Sequence, residues 1–283
     1  MIKRIDPFID TAFKFIFGTE NQSEEILMSF LNEIFRGQEG FDNIIEIRYQ
    51  NPEKVRKSIE GKSIIHDVQC ETLSGRKFIV EIQNAAQDYF LKRALYYVSR
   101  GVGDQGKIGA GENDWEFNFK PVAGVFICNF PVKGVPRKLI THLKFTDVSD
   151  GSAIPDYMHL VFIQPKEFHL SKEECKTGFE KWIYVLKNLS TMTEASLEWF
   201  KESVFERLDK LSRYAALTPE QQAEYDRDLK WARDYNAGIK TAMRKGEENA
   251  KLEIAKKLKE SGMPGSQIAE YTGLSLDIIE SLF

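Results

Sequence analysis

The chain has 283 residues, room for about two domains at roughly 150 residues each. Apolar residues make up 42% and charged residues 29%, an ordinary soluble globular composition with aromatic side chains enough to fill a core. A net charge of −4 argues against a polycation that coats nucleic acid in bulk, yet leaves a local basic groove open. No apolar run approaches the roughly 18 residues of a membrane helix. The first seventeen residues carry charges throughout and have no small-residue cleavage site, so no secretory signal is expected there. Three widely spaced cysteines, Cys70, Cys128 and Cys175, suit neither a disulfide framework nor a zinc site, and fit a reducing cytosol.

In chain order, residues 8–36 have helical apolar spacing, broken at Gly18 and Asn21 and ended by Gly37 to Gly40. Residues 43–50 look like a strand that Asn51-Pro52 stops. Two runs, 63–70 and 77–83, flank Thr-Leu-Ser-Gly-Arg and predict a hairpin. Residues 86–100 form an amphipathic helix with Phe90, Leu91, Ala94, Leu95 and Val98 on one stripe, and 101–111 is a loop. The apolar run 121–128 predicts a buried strand, with two more strands near 140–148 and 158–164. From about 172 the period turns helical, over 172–189, 193–214 and 219–260. The span 224–260 carries ten basic and eight acidic residues, as a solvated connector helix does. Residues 261–283 hold two short helices around Thr272-Gly273-Leu274-Ser275. The expected class is α/β, with a mixed-sheet core over 1–165, a helical extension and connector over 166–260, and a helix-turn-helix-like tail over 261–283.

Two motifs mislead. Gly101-Val-Gly103-Asp-Gln-Gly106-Lys107 matches a dinucleotide or phosphate loop by spacing, but those loops need a strand entering and a helix leaving. Here a helix enters, so no nucleotide site is expected. The four histidines (66, 142, 159, 169) have no metal-ligand spacing, and there is no nucleophile elbow.

The hairpin carries the chemistry. Glu81 and Gln83 lie two apart and share a face. A three-residue loop over 73–75 pairs residues whose numbers sum to 148, placing Asp67 opposite Glu81. A two-residue Ser74-Gly75 turn puts the two acids on opposite faces. Gly75 stands at the third loop position, where a positive φ is wanted, which favours the first pairing. Two carboxylates in reach of each other repel unless a cation sits between them, and hard oxygen ligands select Mg²⁺ or Mn²⁺. Read as residues alone, the same acids also fit a solvent-facing hairpin surface.

The order helix–strand–strand–strand–helix–strand, with Asp on the second strand and Glu-x-Gln on the third, resembles the PD-(D/E)XK nucleases, whose sheet is that of restriction endonucleases. More closely the chain resembles the Rpn family of recombination-promoting nucleases and transposases. The likeness rests on Asp6-Pro7-Phe8, Asp10, Phe13-Lys14, Ile16-Phe17-Gly18, His66-Asp67-Val68, Gly75-Arg76 and Phe78 to Gln83. It continues through Arg93-Ala94, Tyr96-Tyr97, Ser99-Arg100, Gln105, Pro121-Val122, Arg233-Asp234-Tyr235 and Ile268-Ala269 to Ser275. The resemblance implies a bacterial, cytoplasmic, Mg²⁺- or Mn²⁺-dependent DNA endonuclease linked to recombination or mobile elements. By it, Asp67 and Glu81 hold the metal, Asp10 completes the metal site, and Gln83 stands where the wider fold has Lys. Gln orients by hydrogen bonds and brings no charge; Lys92 or Arg93, one helix later, are the candidates to supply it. Lys14, Lys92, Arg93 and Arg100 are the candidate contacts to DNA phosphate, while Tyr96 and Tyr97 are expected in the core. Asp10 and Lys14, one helical turn apart, fit an ordinary surface ion pair equally well. The tail has helix-turn-helix spacing, but Asp277 and Glu280 on its second helix oppose phosphate, which favours packing or partner binding; separately, DNA is the expected partner and a homo-oligomer is open. The competing reading is a nuclease-fold module that binds DNA or protein without cutting.

Overall fold

The structure is a computed structural model, and it describes residues 2–50, 68–107, 119–152, 154–192 and 203–282. Two helices open the chain, α1 (Asp10–Phe17) and α2 (Glu24–Phe35). Strands β1 (Ile47–Tyr49), β2 (Val68–Thr72) and β3 (Lys77–Gln83) follow, then helix α3 (Phe90–Gly103). Strands β4 (Val122–Cys128), β5 (Ile140–Leu143) and β6 (Met158–Ile163) complete one six-stranded sheet in the order β1-β2-β3-β4-β6-β5. β3, β4 and β6 run parallel; the other neighbours pair antiparallel. Parallel strands sit at the centre because both faces are covered there, and all seven residues of β4 are buried.

Alternation along β3 assigns the two faces. Ile79 packs with Phe126, Phe162 and the α3 residues Phe90, Ala94 and Val98. Phe78 points the other way and meets Phe35 of α2, ring centroids 5.5 Å apart. On that second face Phe17, Phe30 and Trp182 cluster, Trp182 lying on α4 (Gly178–Asn188). Helix α5 (Ser203–Ser212) packs on α1 and α2, and its Asp209 holds the buried Arg4 at 2.7 Å.

The expected elements stand, with adjustments at their ends. β1 and β5 are shorter than 43–50 and 140–148. Residues 63–67 of the expected hairpin and 193–202 of the expected helix lie outside the described residues. Helix α3 runs on to Gly103, where the sequence predicted a loop from 101. Gly101 is there for close packing: a Cβ on it would lie 3.0 Å from Val122 on β4. On α3, Leu95 is 42% exposed and not part of the buried stripe.

The chain divides into two compact units, Met1–Tyr225 and Asp226–Phe283. The segment 166–260 therefore spans both, since α4 and α5 belong to the first. Helix α6 (Pro219–Glu260) runs for 42 residues, the range its helical period predicted, and from Asp226 onward it belongs to the second unit. In the second unit α7 (Gly265–Thr272) and α8 (Leu276–Glu280) bury Ile268 and Ile279 against Ala255. Ser275 caps α8 by accepting from the Ile278 N–H, and Ile278 itself is 42% exposed.

Candidate active site

The β2–β3 turn has the three-residue loop. The Thr72 N–H donates to Arg76 O and the Gly75 N–H to Thr72 O, both at 2.9 Å. Gly75 adopts φ +84°, the left-handed conformation the loop demands at that position. Val68 pairs with Val80 and Cys70 with Phe78, the 148-sum register. Asp67 and His66 lie outside the described residues.

Glu81 is a charged residue almost wholly inside, 3% exposed. Strand alternation turns it toward α3, on the same face as Ile79. There Arg93 donates from Nη2 to Glu81 Oε1 at 2.5 Å, and Gln83 Nε2 donates to the same oxygen at 2.7 Å. A second Arg93 nitrogen, Nη1, donates to Gln87 Oε1 at 2.7 Å, so the guanidinium is held from two sides. Its carbon lies 4.8 Å from the Phe90 ring centroid and 5.6 Å from that of Tyr97. A buried carboxylate needs such company, because an unpaired charge inside a protein is expensive. Cys128 pairs with Gln83 across β3–β4, and its thiol is pushed far up, first by burial and then by the Glu81 charge.

The family model described as PD-(D/E)XK nuclease family transposase matches residues 7–242. The chain belongs to that family. No curated protein and no solved structure matches it. In this PD-(D/E)XK nuclease family member, the match takes in the sheet, α3 and the first half of α6, and Glu81-x-Gln83 falls on the third strand as the family resemblance implied.

The other expected residues distribute as follows. Asp10 and Lys14 form an ion pair at 2.7 Å on the outer surface of α1. Arg100 pairs with Asp104 at 3.1 Å and stands 3.5 Å from the Tyr96 hydroxyl; these partners hold its guanidinium above its ordinary value. Lys92 is exposed on α3. Tyr97 packs against the α3 core, as expected, but Tyr96 is 53% exposed and is not a core residue. No group of three or more His, Cys, Asp or Glu among the described residues has the arrangement of a metal site, and none of the described helices is long and apolar enough to cross a membrane.

A second polar cluster was not foreseen. His142 on β5 and His159 on β6 meet at 3.0 Å between ring nitrogens, and His159 Nδ1 lies 2.9 Å from Asp156 Oδ2. With Asp156 ionised, His159 donates to it from Nδ1, and the contact between the two rings is a hydrogen bond whose donor is set by their tautomers. Burial raises the Asp156 carboxyl, but the His159 hydrogen bond and the charges of His159, Lys144 and Arg76 outweigh it and hold it below its ordinary value. Arg76 also lies 3.9 Å over the Phe41 ring and donates to Gly40 O at 2.7 Å, and Lys144 donates to Glu39 O. The cluster thus fastens residues 39–41 over the sheet face opposite α3.

Proposed function

We propose that the chain is a divalent-metal-dependent DNA endonuclease acting at Asp67, Glu81, Gln83 and Arg93. The observation that carries this reading is Glu81, a buried carboxylate on the third strand of a PD-(D/E)XK nuclease fold, fixed by Gln83 and Arg93. The 148-sum register supports Asp67 as its partner, since that register, continued by one residue, would set Asp67 against Glu81. Hard carboxylate oxygens suit Mg²⁺ or Mn²⁺. Asp67 and Glu81 would hold the ion, with Asp10 as the third candidate. A divalent ion held there would supply a water of lowered pKa and relief of charge on the scissile phosphate.

The protein groups have separate roles in this reading. Gln83 orients the Glu81 carboxylate and supplies no charge. Arg93 brings the cation that position 83 lacks, from a helix that follows the strand instead of from the strand itself. Its forked guanidinium can hold Glu81 with one edge and a phosphate oxygen with another. Lys92 and Arg100 on α3 and Lys14 on α1 are the outer candidates for phosphate contact.

A plasmid-nicking assay with Mg²⁺, Mn²⁺ and Ca²⁺ tests the proposal. Metal-dependent nicking by the wild type and its loss in Glu81→Ala and Asp67→Ala are expected. DNA binding without nicking in any of the three metals would replace it with the non-catalytic module.

A further inference from the structure

The face of α3 that carries Arg93 also carries two exposed aromatic rings. Tyr89, at the helix N-terminus, is 58% exposed and Tyr96 is 53% exposed. Residues 89, 93, 96 and 100 follow i, i+4, i+7 and i+11 spacing, so they form one stripe: Tyr, Arg, Tyr, Arg. Lys92, exposed, borders it. Beside the stripe, a small cleft between α3 and the β1–β3 edge is lined by Gln50, Gln69, Lys77, Tyr97 and Arg100, with Asp104 the one acid among its described residues. Amide and cationic donors therefore line one flank of the aromatic row.

Seven residues of helix rise about 10.5 Å. That is the span of about three base steps at 3.4 Å. Arg93 stands between Tyr89 and Tyr96 along the helix, with its guanidinium anchored on Glu81. Exposed aromatic rings gain little from a duplex, whose base faces are already stacked. Against unpaired bases they are stacking platforms, tolerant of sequence because every base has a π-face. Phosphate-binding cations interleaved with such rings are the pairing that single strands exploit.

We infer that the substrate of this site is single-stranded or locally unpaired DNA, with bases stacked on Tyr89 and Tyr96 and the backbone carried past Arg93 and Arg100. The inference rests on the nuclease reading for the identity of the site, but its test is binding and needs no cleavage.

The test uses the full chain in EDTA and fluorescence anisotropy with a labelled 20-nucleotide single strand and the duplex of the same sequence. The wild type should bind the single strand at least tenfold more tightly than the duplex. Tyr89→Ala and Tyr96→Ala should each weaken single-strand binding by about 5- to 100-fold and leave duplex binding unchanged. Tyr96→Phe should retain it and Tyr96→Leu should not, which separates stacking from an apolar contact to a protein. Both tyrosines lie on the surface, and matched thermal transitions will show that the variants fold. Equal or tighter binding of the duplex, or alanine variants within twofold of wild type, would overturn the inference. Tyrosine-dependent single-strand binding by a chain that fails to cut would uphold it and sink only the nuclease reading.

Discussion

Arg93 and Glu81 make the ion pair at the centre of the candidate site, with side chains 23% and 4% exposed. Breaking a buried ion pair from one side costs about 3–5 kcal/mol, because the remaining charge stays inside. Arg93→Met should therefore lower the unfolding free energy by about 3 kcal/mol, the partial exposure of Arg93 placing it at the low end. Chemical denaturation checks this, and Arg93→Met/Glu81→Gln should recover part of the loss by removing the orphaned charge. Cleavage should fall in Arg93→Met and survive partly in Arg93→Lys. The histidine pair makes a separate residue-scale prediction. Burial first, then the charges of His159, Lys144 and Lys138, lowers the His142 pKa to about 4 from 6.5, against the opposing pull of Asp156. The unfolded chain takes up this proton from about pH 6.5 downward, and the folded chain resists until about pH 4. Stability from this ring is full above pH 6.5 and is lost as pH falls toward 4. The ring is only half-buried, so the loss should be about 1–2 kcal/mol after solvent screening. Denaturation midpoints measured from pH 7 to 4 should fall in wild type and fall less in His142→Asn.

The hairpin shows what an element needs from its turn. Gly75 holds φ +84°, and a Cβ there would press on the Lys120 side chain at 2.9 Å. That neighbour is flexible; the backbone conformation is not. Gly75→Ala should cost about 1–2 kcal/mol and Gly75→Asn less, since Asn tolerates the left-handed region. Denaturation of the two variants checks the order. This register was legible in the sequence because turn chemistry is local: one glycine at the third loop position chose between two pairings of the strands. The Arg93–Glu81 contact was legible only as a candidate, because the β3–α3–β4 crossover fixes which helical residue faces the strand. The His142–His159–Asp156 cluster left no linear signal at all. It depends on β5 pairing with β6 across a long connection, and its histidines lack any ligand spacing. The helix end was misjudged for the opposite reason. Gly101 and Gly103 look like breakers, but the helix carries on because Gly101 lets it approach β4.

On the scale of the whole molecule, the two compact units predict separable folding. Deleting 262–283 removes α7 and α8, whose buried residues Ile268 and Ile279 pack against Ala255 within the second unit. The main thermal transition of the truncated chain should stay within a few degrees of wild type. Loss of that transition would make the tail part of the first unit's core. The family membership, the mixed sheet and the burial of Glu81 support the proposed active centre, in which the Glu81 and Asp67 carboxylates would hold the metal that cleavage requires. The most direct measurement is Mg²⁺-dependent cleavage of a labelled DNA by purified wild type, Asp67→Ala and Glu81→Ala, with folding verified by thermal transitions and Gln83→Lys run alongside. Both alanine variants should lose cleavage and gain less thermal stability from Mg²⁺ than wild type, while Gln83→Lys keeps or raises the rate. Cleavage by Asp67→Ala or Glu81→Ala at the wild-type rate, with contaminating nuclease excluded, would show that these carboxylates do not hold a catalytic metal.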